Sequence, residues 1–120
     1  MDPMKFLDLC GAPLGGFSAQ SIKGIAEGLE SGRPLEALYL DVDVDKMIVE
    51  KHEGRHRAYY AWKQGWPYVP VIIYHNFRNL QGFLRFKEVE KRIDVSKLRT
   101  EARNSSAGDY ARNGLIWDPE

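Results

Sequence analysis

The stretch from Met47 to Tyr74 restricts the folds open to this chain more than any other. Residues 47–51 are β-prone, a charged turn leads to Gly54, and Ala58, Ala61, Trp62 and Gly65 recur at helical spacing. Val69 to Tyr74 is a β-branched run interrupted by Pro70 and preceded by Pro67, the pattern of a buried strand. The stretch therefore reads as strand, glycine turn, amphipathic helix over about 55–65 and second strand. The glycine matters because a residue without Cβ lets the backbone turn tightly or lets a ligand approach.

Arg55, His56 and Arg57 fall in the first turn of that helix, where backbone N–H groups lack intrahelical partners. Free amides, the positive end of a helix dipole and two guanidiniums together suit a phosphate. A solvated basic triplet opening a surface helix is the competing reading. Gly54 directly before the triplet, with an apolar strand on either side, favours the phosphate.

Glu53-Gly54-Arg55-His56-Arg57, followed by Ala61, Gly65 and Val69-Pro70-Val71, resembles the core motif of the ParB/sulfiredoxin superfamily. Ser21-Ile22, Gly32 and Pro34-Leu35 resemble the helix, glycine stop and strand entry that precede it, so the likeness spans residues 17–75. It implies an α+β fold, a small mixed sheet with packed helices, followed by a helical C-terminal extension. It implies phosphate or nucleotide binding by Gly54, Arg55, His56 and Arg57, with Glu53 and His56 as candidate catalytic groups. Nucleotide binding would bring Mg2+, with Glu53 or Asp41 as its carboxylate. Sulfiredoxin's turn cysteine is replaced by Arg55, so its redox chemistry is not expected. The function implied is a phosphate-binding domain acting on nucleic acid, as a DNA-binding module or nuclease, or binding a nucleotide. The alternatives are an ATP- or ADP-dependent kinase of a small hydroxylated substrate and a non-catalytic nucleotide-sensing adaptor.

One domain is expected from 120 residues, with its core at about 17–75, a helical extension at about 76–103 and a flexible tail at about 104–120. A helix-turn-helix reader or dimerisation domain is not expected beside it. No apolar run reaches spanning length, the beginning lacks a signal pattern, and one cysteine forms no internal disulfide. A cytoplasmic protein without membrane contact is the expectation. The formal net charge of zero hides a polarity: residues 1–54 hold five Lys/Arg against ten Asp/Glu, and residues 55–120 hold twelve against seven. That arrangement permits nucleic-acid contact on one side, head-to-tail self-association, or a protein partner on the C-terminal extension.

Residues 4–10 alternate weakly and read as a first strand, with Cys10 a small buried hydrophobe. Gly11 to Phe17 reads as a simple turn. Ser18 caps a helix to about Ser31 whose Ile22, Ile25, Ala26 and Leu29 would pack on the sheet, with Gly24 and Gly28 spaced for close packing on a neighbour, the favoured reading, or for approach by a ligand. Ala37 to Val42 reads as a strand with Leu38, Leu40 and Val42 inward, ending in a hairpin turn at Asp43 to Lys46 whose carboxylates face water. The spacing of Asp41, Asp43 and Asp45 begins like a calcium loop, but Lys46 and His52 stand where it needs Gly and Glu. His52, His56 and His75 lack zinc spacing, and neither zinc nor haem is expected. A helix over about 79–93 would carry Arg78, Arg85 and Lys87 toward nucleic acid, interleaved with Phe77, Phe83 and Phe86; core packing of the phenylalanines is the competing reading. Asp94 to Ser96 would cap another helix to about Ala102, and the tail from Asn104 reads as loop, with Trp117 docking in cis or on a partner.

Overall fold

The computed structural model describes residues 1–76, 95–100, 105–114 and 116–117. Its architecture is α+β. The elements in chain order are α1 (Pro3–Leu9), β1 (Phe17–Ser18), α2 (Ala19–Glu30), β2 (Leu38–Asp43), β3 (Ile48–Glu53) and α3 (Arg55–Lys63). They continue with β4 (Val71–Asn76), a 3-10 turn (Val95–Lys97), β5 (Arg99–Thr100), α4 (Ala107–Arg112) and β6 (Ile116–Trp117). The main sheet has the order β4-β2-β3-β5, with β2 antiparallel to β3 and parallel to β4, and β3 parallel to β5. A separate parallel pair joins β1 to β6.

The inner face of the sheet is built as alternation requires. Leu38, Leu40 and Val42 of β2 are fully buried, and Val49 of β3 joins them. The β2–β3 register shifts between Asp41 and Val42, because Asp41 pairs with Lys51 while Val42 pairs with Val49. Glu50 is therefore the extra residue of a bulge. The shift re-aims everything after it: His52 turns inward opposite Leu40, while Lys51 and Glu53 point to the outer face. Asp43 closes β2 differently from expectation. It is buried, and its carboxylate accepts from the amides of Asp45 and Lys46, fixing the turn instead of facing water. Met47 completes that turn with a φ of 56°.

Three segments depart from the sequence reading, and each has a local cause. Residues 3–9 are helical, not extended. Asp2 caps the helix by accepting from the amides of Met4 (2.7 Å) and Lys5 (3.1 Å), Pro3 takes the first position, and Pro3, Phe6, Leu7 and Cys10 form the buried stripe. Residues 95–100 form a 3-10 turn and a strand in place of a helix, because Arg99 and Thr100 pair with the free flank of β3 and Leu98 is buried. Residues 106–112 are helical rather than loop. Ser106 and Asp109 form a capping box, and Ala107, Gly108 and Ala111 are buried. A Cβ on Gly108 would meet the Asp8 carboxylate of α1, so the small residues permit close approach of α4, and Arg112 then reaches Asp8 at 2.7 Å.

Two further placements differ. The apolar stripe of α2 is only half-buried and packs on α3 and β1 rather than on the sheet. β4 is an edge strand rather than a buried one; Ile72 and Tyr74 are 42% and 49% exposed, because the outer face of the sheet carries no helix among the described residues. Trp117 does dock in cis through its backbone, paired with Ser18. The expected helix at about 79–93 lies outside the described residues. No helix among the described residues is long and apolar enough to cross a membrane.

The cap makes α1 testable. Asp2→Ala is expected to lower unfolding free energy by about 1 kcal/mol, read as a shift of the urea midpoint with unchanged slope. A strand at residues 4–10 would show no such loss.

Candidate functional site

Gly54 joins β3 to α3 with φ 115° and ψ 19°, a left-handed conformation that side chains disfavour. Space forbids one as well: a Cβ there would lie 2.5 Å from Leu38 Cγ and 3.1 Å from Leu38 Cβ. The chain can thus turn directly from strand into helix with its backbone pressed on the core. Ala58 N donates to the Gly54 carbonyl at 2.9 Å, and no side chain caps the helix start. The amides of Arg55, His56 and Arg57 precede the first intrahelical bond.

These residues open on a cleft of about 610 Å³ between α2, the segment Arg33–Glu36 and the β3–α3 junction. Gly24 and Gly28 line its α2 wall, and nothing lies within 4 Å of a Cβ built on either. Their spacing therefore widens the cleft; among the described residues it serves no close packing, the favoured of the two readings offered by the sequence. His52, Glu53, Gly54, Arg55, His56 and Arg57 form the facing wall.

The basic triplet divides its labour. Arg55 Nη1 donates to the Gly11 carbonyl at 2.8 Å, and Arg57 Nη2 donates to the Ala37 carbonyl at 3.1 Å. Both partners are neutral, and among the described residues neither guanidinium is ion-paired, so each keeps its full charge and spare donors. Arg57 Nε is buried with no partner among the described residues. His56 Nε2 accepts from the Ser18 amide at 2.9 Å, and its ring stands edge-on to Phe17. His52 Nε2 accepts from the Gly11 amide at 3.2 Å. An accepting Nε2 requires a neutral ring with its proton on Nδ1. Burial, and then the Arg55 charge, lower both histidine pKa values. His56 thus keeps only Nδ1 for any proton transfer.

Together His52, Arg55 and His56 clamp both ends of the Gly11–Ser18 segment, which the sequence showed only as a turn. The signal available was the placing of a histidine on each side of Gly54. Cys10, beside this clamp, is buried, and burial pushes its thiol up to about 12 against the opposing pull of Arg55, as suits an inert hydrophobe.

Glu53 is exposed and lies at the rim, on the outer face of the sheet, where Asp41 also sits. Lys51 stands opposite Asp41. No group of three His, Cys, Asp or Glu side chains able to hold a metal occurs among the described residues. Glu53, with Glu36 also lining the cleft, fits the kind of Mg2+ that is bound by one or two carboxylates and mainly through substrate phosphates and water. Arg78, Arg85 and Lys87 lie outside the described residues. The chain matches no family model, no curated protein and no solved structure.

Two outcomes are expected from this geometry. Gly54→Ala adds left-handed strain and a collision with Leu38, for a loss of about 2–4 kcal/mol in denaturant unfolding. For the histidines, the folded pKa is depressed, so the unfolded chain binds more protons between the folded pKa and the usual value near 6.5. Stability is therefore full above that value and falls as pH drops through the folded pKa. Melting scans from neutral to acidic pH should show this loss, and His52→Gln/His56→Gln should flatten the histidine share of it.

Proposed function

We propose that this chain is a ParB/sulfiredoxin-like domain that binds the phosphate of a nucleotide or nucleic acid at Glu53–Arg57. The observation that carries the reading is the left-handed Gly54 at the head of α3. It places three helix-start amides and two arginines, which among the described residues bond only to neutral carbonyls, on one wall of a cleft whose α2 wall is opened by Gly24 and Gly28. Phosphate gains from such a place in three ways: direct hydrogen bonds from the amides, the helix dipole, and charge-assisted bonds from the guanidiniums.

Arg57 faces the phosphate from the first turn, while Arg55 supplies long-range positive potential from its seat on Gly11. Burial, helped by the Arg55 charge, favours neutral His52 and His56. Glu53 at the rim is the carboxylate that would share a Mg2+ with phosphate oxygens. The ion would supply charge neutralisation of the phosphates, which is the usual reason nucleotide sites recruit it. The walled cleft favours a compact nucleotide over a duplex, whose continuous backbone needs an open basic track. Phosphoryl transfer to a small hydroxylated substrate, nucleic-acid cleavage and sensing without turnover remain separate chemistries for this one scaffold, distinguished by product formation and not by binding.

Calorimetry with inorganic phosphate and nucleoside triphosphates, with and without magnesium, tests the reading. Arg57→Ala should weaken binding at least tenfold. Because that variant also removes the bond to the Ala37 carbonyl, Gly28→Leu provides the sharper arm. It fills open space and improves helix propensity, so its melting temperature should hold or rise while binding falls at least tenfold. Unchanged affinity in Gly28→Leu would rule the cleft out.

A further inference from the structure

The outer face of the sheet carries a second concavity that the phosphate reading does not use. Strand alternation and the bulge at Glu50 put Tyr39, Asp41, Lys51, Glu53 and Tyr74 around a groove of about 360 Å³. Tyr39 lies opposite Glu53, and Tyr74 lies beside Asp41. The rings of Tyr39 and Tyr74 are 5.7 Å apart and within 18° of parallel, and Tyr74 is 49% exposed. Near-parallel phenols standing on a sheet offer π-faces to a planar ring, the arrangement by which sheets hold unpaired bases. The groove also shares His52 and Glu53 with the cleft at the Gly54 turn, so the two concavities are neighbours across the end of β3.

The charges choose the part of a ligand that fits. Asp41 and Glu53 bring two carboxylates to a groove with one ammonium, Lys51. Carboxylates repel phosphate but accept hydrogen bonds from the amino groups on cytosine, adenine and guanine. Across Glu53 the balance reverses, with Arg33, Arg55 and Arg57 lining the cleft against Glu36 and Glu53. A molecule with an amino-bearing planar end and an anionic end matches the pair.

We propose that the Tyr39–Tyr74 groove takes the base of a free nucleotide whose phosphates lie at the Gly54–Arg57 turn, with Asp41 selecting bases that carry an amino group. The proposal rests on the phosphate site of the preceding section and gives it a substrate class. A free nucleotide is the occupant because the groove has the size of one base with its sugar. A strand would carry further phosphates past Asp41 and Glu53, at an electrostatic cost. Uracil and thymine present carbonyl oxygens where the carboxylates need donors, so they are disfavoured.

The test is calorimetry on wild type, Tyr74→Ala, Tyr74→Phe and Asp41→Asn, with ribose 5-phosphate, cytidine, CMP, AMP, UMP and a short single-stranded oligonucleotide as probes. Wild type should bind CMP or AMP at least tenfold more tightly than ribose 5-phosphate, and more tightly than UMP. Tyr74→Ala should erase the advantage over ribose 5-phosphate while leaving the affinity for ribose 5-phosphate itself unchanged; Tyr74→Phe should keep it. Asp41→Asn, a surface change that spares the tyrosines, should narrow the gap between CMP and UMP. An unchanged ratio in Tyr74→Ala, equal binding of UMP, or tighter binding of the oligonucleotide than of CMP overturns the base groove and leaves the phosphate site standing. Wild type that ignores ribose 5-phosphate but binds cytidine through Tyr74 overturns the phosphate site instead, and with it the joint occupancy proposed here.

Discussion

Leu38 fills the space that a side chain at position 54 would need, and the rest of the site follows from that contact. Leu38 is the first residue of β2, and its amide is held by the Pro70 carbonyl at 2.8 Å, just before β4 begins. The start of α3 is thereby registered against two strands at once. From this fixed point Arg57 reaches the Ala37 carbonyl, one residue before Leu38, and Arg55 and His56 reach back to the Gly11–Ser18 segment. A looser junction would let α3 slide along the sheet, and those side chains would lose their partners together.

The electrostatics of the junction depend on what the arginines lack. A guanidinium bonded to a carboxylate is neutralised; one bonded to a peptide carbonyl is held in place but keeps its charge. Arg55 is of the second kind, and its field is felt by Cys10, His52 and His56. The same charge that would attract an anion thus adds to burial in favouring the neutral form that the histidines' hydrogen bonds require. Positioning and attraction are one arrangement here, not two.

The centre of this architecture was legible because its signals are local. Gly54 between a β-prone run and a helical repeat, Ser18 before α2, and the alternation of Leu38, Leu40 and Val42 each act within a few residues. Most of what was misread depends on partners far along the chain, residues 4–10 excepted. Residues 4–10 show a weak alternation, and only the pairing of Asp2 as cap with Pro3 at the first helical position reveals a helix. Residues 106–112 have a loop-like composition because α4 must lie close against α1, where Gly108 leaves just enough room for Asp8. The bulge at Glu50, which decides that His52 faces inward and Glu53 outward, has no mark in the sequence of β3 itself. Gly24 and Gly28 were visible as a spacing, but whether such glycines admit a neighbouring element or leave a gap is a tertiary fact.

Residues 105–117 are stitched to the beginning of the fold at several points: Ala107 N to the Cys10 carbonyl, Ser106 to Gly11 in an isolated bridge, Arg112 to Asp8 across 104 positions, and β6 along β1. Contacts at such separations form late, because the entropy of closing a long loop is lost before the contact is gained. During synthesis β2, β3, β4 and α3 have all their residues well before these partners emerge. The Gly11–Ser18 segment would then be held from the histidine and arginine side only. Final locking of that segment from its other side waits for α4 and β6 to be in place.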